Sequence, residues 1–222
     1  MQLKEKYDAE TIVLSMGPPQ AEEALREALA MGIDKAYLLT DRAFAGADTL
    51  ATSHTLALGI KSILDSLGEN NDYLIICGTQ AIDGDTAQVG PELSEELGIP
   101  QITYVQKFEM KDRKVKVERA FRAEEVVVIE VELPVLISVL KEINDPRYPS
   151  MDGIANAYKK DIIQLTQEDV NAQKETIGLI GSQTEVWKIF VPKRKGEHLI
   201  LDGSIDEMVT KLCDNLKEDK IF

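Results

Sequence analysis

The first hundred residues alternate between short apolar runs and longer segments with helical periodicity. Apolar runs lie at residues 11–15, 35–39 and 73–77. Between them, residues 20–31 place alanine and leucine on one helical face, and a second helix is predicted from about Thr49 to Leu67. Strands that alternate with helices of this length indicate parallel β-α-β units with right-handed connections. This half of the chain therefore predicts a wound α/β layer.

From Ile102 onward the pattern changes to strands without helices between them. The segment "KDRKVKVER" alternates in polarity around a turn and predicts an antiparallel hairpin. The predicted strands are residues 103–105, 114–118, 126–131 and 135–139. The expected fold class is α/β, with a wound, mainly parallel sheet, flanking helices, antiparallel additions and a C-terminal extension.

Capping residues mark several helix ends. Asp48 is expected to cap the second long helix, Gly32 to follow the first in a left-handed conformation, and Ser150 or Asp152 to begin a short helix. A last helix is predicted over residues 204–217, with one apolar stripe. The stripe consists of Ile205, Met208, Val209, Leu212, Cys213 and Leu216. Such a stripe packs either on its own domain or on a partner.

Charge and cysteine content restrict the class of protein. The 222 residues carry 25 basic and 39 acidic side chains, and the net charge of -14 disfavours nucleic acid or an anionic membrane as the main partner. Cys77 and Cys213 are too far apart to suggest a disulfide framework or a zinc site. Because no apolar segment has the length of a signal peptide core or a membrane span, a soluble cytoplasmic protein is expected.

Three loops follow the first three predicted strands, and they read "SMGPP", "TDRAFAGADTLATS" and "GTQAIDGDTAQVGP". The carboxyl ends of parallel strands share one sheet edge, where ligands bind in open α/β folds. The helices that start near Thr49 and Thr86 offer main-chain N–H groups to an anion, and nearby hydroxyls add donors. Asp83 and Asp85 suit ribose or ribityl hydroxyls, although both residue types are also common turn formers and caps.

Other kinds of site find less support. The calcium pattern fails after Asp83, and neither a Walker P-loop nor a Rossmann glycine fingerprint is present. His54, His198 and Cys77 lack visible catalytic partners, so a bound ligand is expected to supply the chemistry. An ATP-consuming enzyme of the adenine nucleotide hydrolase type would need a phosphate-binding glycine or serine signature, which the sequence lacks.

The chain closely resembles the β subunit of electron-transferring flavoprotein from about Lys4 to Lys160. The segments that carry the resemblance are "SMGPPQAEEALREALAMGIDKAYLLTDRAFAGADTLATS", "CGTQAIDGDTAQVGPELSEELGIPQITYV" and "LPVLISVLKEINDPRYPSMDGIANAYKK". The resemblance implies an adenine nucleotide alpha hydrolase-like fold and a heterodimer with an α subunit that carries its own FAD. The β subunit of such proteins holds FAD or, alternatively, AMP.

The loop "DRAFAGADTLATS" is similar to that of the flavin-bifurcating group, which favours FAD over AMP here. That group implies electron transfer between NADH, an acyl-CoA-type dehydrogenase and a low-potential acceptor such as ferredoxin or flavodoxin. Cofactor-binding positions carried over from the resemblance are Ser15, Met16, Gly17, Asp41, Gly46, Ala47, Asp48, Thr49, Thr52, Gly78, Thr79, Gln80, Ala81, Ile82, Asp83, Gly84, Asp85, Thr86, Ala87, Gln88 and Val89.

The segment "PRYPSMDG" resembles the loop with which such β subunits recognise dehydrogenases. The carried-over partner residues are Arg147, Tyr148 and Met151. The simpler alternative is a helix entry in which Met151 serves as a hydrophobic staple. The resemblance further implies a nucleotide-binding domain over residues 1–160 and a C-terminal arm over residues 161–222 that contacts the α subunit.

Two positions depart from the family pattern. Members begin with a strand, a loop of the type V-K-x-V-P-D and a helix, whereas this sequence begins inside that helix, so the first strand has no counterpart. Thr79 stands where an arginine or lysine is usual, which removes a fixed positive charge near the expected phosphates.

Overall fold

The computed structural model describes residues 1–68, 72–82, 84–122, 125–191 and 199–221. The strands of this part of the chain are β1 Ile12–Met16, β2 Lys35–Leu39, β3 Leu74–Gly78, β4 Gln101–Lys111, β5 Lys114–Arg122, β6 Glu125–Glu132, β7 Val135–Val139 and β8 Ile162–Leu165. The α-helices are α1 Gln2–Tyr7, α2 Glu22–Ala30, α3 Thr49–Leu67, α4 Val89–Leu97, α5 Met151–Ala157, α6 Gly178–Gly181 and α7 Ile205–Glu218. Four 3-10 turns lie at Pro19–Ala21, Arg42–Phe44, Lys141–Ile143 and Lys174–Thr176.

The strands form two sheets. The first is fully parallel with the order β1-β2-β8, and the second has the order β3-β7-β4-β5-β6. Within the second sheet, β3, β7 and β4 are parallel, and β4, β5 and β6 form an antiparallel meander. The prediction of an α/β fold with a mainly parallel arrangement, flanking helices and antiparallel additions is confirmed.

The parallel part is interrupted between β1 and β3. Among the described strands, β1 pairs only with β2 and β3 only with β7, so each is an edge strand. The sequence predicts one sheet, whereas two are found, and no described strand lies between these edges. Helix α3 covers both, since its Leu56 packs against the core cluster next to β1 and also against the cluster next to β3. On the other face of β3, Ile76 is 52% exposed.

Side chains of β2 point alternately to the two faces of the first sheet, and each face carries its own hydrophobic core. Leu38 packs with Leu25 and Leu29 of α2, whereas Leu39 packs with Ile63 of α3. Successive side chains of a strand point to opposite faces, so one buried strand serves both helical layers. A third cluster lies between β4, β5 and β7, where Val105, Val115 and Val135 are fully buried.

Most helix ends lie within two residues of their predicted positions. The Asp48 carboxylate caps α3 by accepting from the Ala51 N–H at 3.0 Å. Ser150 caps α5 through the Gly153 N–H at 3.0 Å, which decides between the two predicted caps. Gly32 follows α2 with φ +107°, in the left-handed half of the backbone map. These local predictions succeed because a cap depends on neighbouring residues only.

The chain divides into two compact units, Met1–Glu185 and Val186–Phe222. This division falls later than the predicted boundary after residue 160, because β8 pairs with β2 and belongs to the first unit. In the second unit, Ser204 and Glu207 form a capping box at the start of α7. Ile205, Val209 and Leu212 of its predicted stripe are exposed. No helix in the described part of the chain is long and apolar enough to span a membrane.

Candidate nucleotide-binding site

The first two loops lie side by side at the carboxyl edge of the first sheet. Ser15 and Met16 end β1, and the Gly17 N–H donates to the Leu39 carbonyl at the end of β2 at 3.0 Å. Because β1 and β2 are parallel, in-register neighbours, the turn after β1 and the turn after β2 begin at the same height. The structure therefore brings the first two predicted loops together.

The second loop is held by two aspartates whose oxygens are engaged in the protein. Asp41 accepts from the Ala43 N–H at 3.0 Å and from the Gln167 N–H at 3.1 Å. The N–H groups of Ala43 and Gln167 lower the pKa of Asp41 below its usual value, because they bond the charged form. Asp41 thus ties the loop to the segment that follows β8.

Asp48 organises the start of α3. Besides capping Ala51, its carboxylate accepts from the Gln183 N–H at 2.8 Å, the Thr184 N–H at 2.9 Å and the Thr184 hydroxyl at 3.0 Å. Burial raises the pKa of Asp48, but these donors outweigh burial and lower it. The Asp48 N–H in turn donates to Ser182 Oγ at 2.8 Å. Residues 182–184 were missed by sequence reasoning, because no local pattern signals a contact over 134 residues.

Other predicted positions of the second loop have structural partners as well. Gly46 has φ +75°, and an added Cβ would lie 3.2 Å from Leu179 Cβ of α6. The Thr52 N–H donates to the Asp48 carbonyl at 2.9 Å, as the first turn of α3 requires. Ala47, next to Asp48, is half-buried. This loop is therefore a tightly bonded entry to α3.

The third loop follows β3 and is much more exposed. Thr79 donates its hydroxyl to the Val139 carbonyl at 2.9 Å, and Gln80 donates its side-chain amide to Asp85. The Asp85 N–H closes a turn onto the Ala81 carbonyl at 2.9 Å, while Ile82 is fully exposed. Gly84 lies within this turn and Gly78 ends β3. Asp83 lies outside the described residues.

The start of α4 carries an unused series of main-chain donors. Gln88 occupies the N-cap position without a side-chain cap, and both Asp85 and Ala87 have positive φ, at 54° and 55°. The N–H groups of five consecutive residues donate to no other described residue. They belong to Thr86, Ala87, Gln88, Val89 and Gly90. Concave runs of N–H groups at a helix N-terminus are typical anion-binding arrangements.

Glu92 joins the starts of α3 and α4. Its carboxylate accepts from the Thr49 hydroxyl at 3.1 Å and from the Ser53 hydroxyl at 3.2 Å. Ser53 is fully buried and also lies 3.2 Å from the Val89 carbonyl. Thr49, which sequence analysis expects to donate to a phosphate, is thus bonded to Glu92. Glu92 itself was not predicted, although an acidic residue in a first helical turn is a common signal.

Close packing fixes α4 on β3. A Cβ on Gly90 would lie 2.9 Å from Cys77 Sγ, so only glycine permits this approach. Burial raises the pKa of the Cys77 thiol to about 11, which keeps it protonated and poorly nucleophilic. One turn along, His54 Nδ1 lies 2.9 Å from Glu96 Oε2 and links α3 to α4. His198 lies outside the described residues.

The predicted partner residues lie on a separate surface, around the start of α5. Tyr148 is 94% exposed and Met151 is 82% exposed. Arg147 forms a bidentate ion pair with Glu5 of α1, at 2.5 Å and 2.9 Å. The structure therefore leaves the two apolar members of this set open to solvent and engages the third.

The chain is similar to known proteins over most of its length. Residues 1–170 match the model of the electron transfer flavoprotein domain. The chain is 48% identical over 217 residues to the electron transfer flavoprotein subunit beta of Clostridium acetobutylicum, which covers 98% of this chain and 81% of the relative. The chain belongs to the electron transfer flavoprotein family. Its resemblance to the β subunit, expected from the sequence, is confirmed.

Two further relatives carry names that specify a complex. The chain is 46% identical to the caffeyl-CoA reductase-Etf complex subunit CarD of Acetobacterium woodii, over 98% of this chain and 81% of the relative. It is 39% identical to the acryloyl-CoA reductase electron transfer subunit gamma of Anaerotignum propionicum, over the whole chain and 83% of the relative. Each name refers to a reductase of a CoA ester, caffeyl-CoA in the first and acryloyl-CoA in the second.

The residues present fit the adenosine diphosphate part of a flavin nucleotide. The N–H series before α4 offers neutral donors to a phosphate. Such main-chain donors can bind an anion locally even though the chain as a whole is strongly acidic. The exposed carboxylate of Asp85 offers an acceptor to a sugar hydroxyl. The start of α3 fits a phosphate less well, because Asp48 already caps it. Of the three loops, the third is therefore the one most suited to hold a nucleotide.

Proposed function

We propose that this chain is the β subunit of a bifurcating-type electron transfer flavoprotein, in which it binds FAD and pairs with an α subunit. The complex carries electrons between NADH, an acyl-CoA-type dehydrogenase and a low-potential acceptor such as ferredoxin or flavodoxin. Membership of the family and the names of the relatives support electron transfer with acyl-CoA reductases. The chain is redox-active only through the flavin that it holds.

The observation that carries the proposal is the run of five N–H groups from Thr86 to Gly90 with no described acceptor. N–H groups at an open helix start can exchange water for a ligand oxygen, and a diphosphate supplies several acceptors at the spacing of a helix start. FAD, when bound, supplies the redox chemistry. The chain's residues bind and orient it, with N–H groups on the diphosphate and Asp85 on a hydroxyl of the nucleotide.

Thr79 modifies this site relative to the family pattern. Its hydroxyl donates to the Val139 carbonyl, so it anchors the loop to β7 and adds no positive charge. Local binding energy must then come from neutral donors, which are weaker than charge-assisted ones. We therefore expect the affinity for a bare adenylate to be modest, and to rise when further parts of a larger nucleotide are contacted.

Quantifying the nucleotides released from the heterodimer tests the proposal. The chain is produced together with its α subunit, the complex is denatured, and the supernatant is separated by chromatography. Two FAD per heterodimer are expected. One FAD and one AMP would instead establish a non-redox scaffold subunit of a conventional electron transfer flavoprotein. A single FAD with no second nucleotide would refute nucleotide binding at these three loops.

An anaerobic titration with NADH tests the redox assignment separately. The flavin absorbance of a complex with two FAD should bleach on addition of NADH in the absence of any dehydrogenase. Addition of an acyl-CoA dehydrogenase with its enoyl-CoA substrate, together with oxidised ferredoxin or flavodoxin to accept the second electron of each pair, should then restore the absorbance. A complex whose flavins ignore NADH but accept electrons from the reduced dehydrogenase would contradict the bifurcating type while keeping the family function.

A further inference from the structure

The segment that precedes α5 crosses the surface with little support from the rest of the protein. It begins after the 3-10 turn Lys141–Ile143 and ends at Ser150, the cap of α5. All residues of 144–149 are exposed. Both of its ends are fixed, whereas its middle depends on side-chain contacts alone.

Arg147 provides the one described tether in this segment. Its two terminal nitrogens donate to the two carboxylate oxygens of Glu5, at 2.5 Å and 2.9 Å. Among the described residues, no other hydrogen bond or ion pair involves residues 144–149. Pro146 and Pro149 have no N–H to donate, so the backbone has few ways to replace this contact.

Helix α1, which carries Glu5, is attached to two other parts of the protein by side-chain hydrogen bonds. Lys4 donates to the Gly32 carbonyl at 3.0 Å and pairs with the Asp34 carboxylate. On the other side, Tyr7 donates its hydroxyl to the Met110 carbonyl of β4. Burial raises the pKa of Asp34, but bonds from Lys4 and Thr11 outweigh it and lower the pKa to about 2. The anchor is therefore charged at any ordinary pH.

Arg147 lies within the segment "PRYPSMDG", which resembles the loop that recognises dehydrogenases in this family. Tyr148 directly follows Arg147, and Met151 begins α5 three residues later. Both side chains are almost fully exposed, so their positions depend on the backbone that carries them. A bidentate arginine-carboxylate pair fixes orientation as well as distance. Holding Arg147 therefore limits the directions in which Tyr148 can point.

We propose that Glu5 is a positioning residue for partner docking: it holds Arg147 and thereby keeps residues 144–149 in the arrangement that presents Tyr148 and Met151. The inference rests on the proposed function, electron exchange with an acyl-CoA-type dehydrogenase, and takes the dehydrogenase to dock at the segment that resembles the family's recognition loop. Glu5 touches neither the partner nor the nucleotide. It acts through Arg147, by reducing the conformational freedom that the segment would otherwise lose on binding.

Trypsin probes the tether without any partner. The protease must take the Arg147 guanidinium into its own pocket, which the Glu5 carboxylate opposes. In the full chain, Glu5→Gln should speed cleavage after Arg147 by about threefold to tenfold, because exposed ion pairs are weak and the bidentate geometry strengthens this one only moderately. Glu10→Gln is the matched control, since Glu10 pairs with Lys35 at 2.7 Å and should leave this cleavage unchanged. Equal cleavage of Glu5→Gln and the parent would overturn the tether.

Electron transfer kinetics then probe docking. With the heterodimer and an acyl-CoA dehydrogenase, Glu5→Gln should raise the KM for the dehydrogenase about twofold to fivefold and leave kcat unchanged. Combining Glu5→Arg with Arg147→Glu should recover most of the parent KM. Recovery separates positioning from a direct role of Arg147, because a direct contact with the partner would be lost in the double variant.

Met151→Ala keeps the two proposals distinguishable. If this variant raises KM but Glu5→Gln does not, the docking surface stands and the positioning role is wrong. If neither variant changes KM, docking at this surface is wrong. The trypsin result then still reports whether Glu5 holds Arg147.

Discussion

Helices α3 and α4 begin next to each other at one end of the molecule, but they begin in different ways. The first turn of α3 is capped by Asp48, whose carboxylate accepts four hydrogen bonds. The first turn of α4 has no side-chain cap, and its N–H groups face no described acceptor. Both sequences contain aspartates in glycine-containing loops, yet the described residues close only one of the two helix starts.

The difference shows that an aspartate before a helix can either cap the helix or leave its first N–H groups uncapped. At α3 it competes with any anion, since it satisfies the donors that a phosphate would use. At α4 the aspartate turns its side chain toward Gln80 and leaves the main-chain donors open. A closed start stabilises the fold, and an open start retains binding capacity. Under the proposed function, the loop before α3 is therefore structural and the loop before α4 binds the ligand.

Removing the cap of α3 should have the largest effect. Asp48→Ala leaves three N–H groups and one hydroxyl without their acceptor, which combines a lost cap with several lost hydrogen bonds. We expect a loss of about 2–4 kcal/mol in the free energy of unfolding, measured by urea denaturation. Asp161→Ala is the control, because Asp161 is exposed and makes no side-chain bond to a described residue. If the unfolding free energy falls by less than removal of two ordinary helix caps would cost, the hydrogen bonds from Gln183 and Thr184 to Asp48 contribute little.

The same variant has a predictable pH dependence. Because the folded pKa of Asp48 is lowered, its stabilising contribution is present above the ordinary carboxyl pKa and is lost as the pH falls through the folded value. The difference in unfolding free energy between the parent and Asp48→Ala should therefore shrink on acidification from neutral pH to below the ordinary carboxyl pKa. A difference that stays constant would mean that the charge of Asp48 has no part in closing the α3 start.

Crowding the start of α4 should have the next largest effect. Gly90→Ala places a methyl group 2.9 Å from Cys77 Sγ and forces α4 away from β3. Overpacking of this kind costs about 1–3 kcal/mol, measurable by the same denaturation experiment. The double variant with Cys77→Ala removes the opposing sulfur and should be more stable than the sum of the two single changes predicts. Strict additivity would show that the contact does not limit the packing of α4.

Neutralising the residue that connects the two starts should strengthen ligand binding. Glu92→Gln keeps an acceptor for Thr49 or Ser53 but removes a negative charge one turn inside α4. We expect an ADP affinity about twofold to fivefold higher by isothermal titration calorimetry, as a nearby charge is worth about 0.3–1 kcal/mol. Glu96→Gln, one turn farther from the helix start and paired with His54, should change the affinity less. An affinity that falls for Glu92→Gln would place the nucleotide elsewhere.

Local features of this fold could be predicted from the sequence, and long-range ones could not. Strand β3, the hairpin of β4 and β5 and the cap Asp48 follow from periodicity and from neighbouring residue types. The partners of Asp48 at Gln183 and Thr184 lie about 135 residues away, and Arg147 meets Glu5 over 142 residues. Such contacts are set by how elements pack, which alternation does not encode. The sequence indicated that one strand has no counterpart, but it did not predict that the parallel arrangement is interrupted between β1 and β3, since strand order is a property of the whole sheet.

For the candidate site, the sequence indicated which loops to examine but not which of them remain open. All three loops lie at carboxyl ends of parallel strands, as the topology requires. The assignments at Asp41, Asp48 and Thr49 as ligand contacts stay predictions, and the structure gives each of these side chains a protein partner. A polar side chain can form only a few hydrogen bonds. Residue type alone therefore does not tell whether that side chain bonds to the protein or remains available to a ligand.

Giving α4 an acidic residue at the position that Asp48 occupies in α3 should have the smallest effect, and it tests the comparison most directly. Gln88 is the N-cap residue of α4, with φ -95° and ψ -33°, whereas a capping side chain prefers an extended backbone. Gln88→Asp should therefore stabilise the protein by only a few tenths of a kcal/mol in urea denaturation. Its carboxylate should still compete with phosphate and lower the ADP affinity about twofold to fivefold.

Gln88→Asn separates charge from shape in this experiment, because asparagine also caps helices but carries no charge. We expect Gln88→Asn to match the small gain in stability and to keep most of the ADP affinity. If the aspartate and asparagine variants bind ADP equally well, the phosphates do not approach the α4 start. The open donors of Thr86 to Gly90 would then be a feature of the fold, and the distinction between a closed and an open helix start would lose its functional meaning.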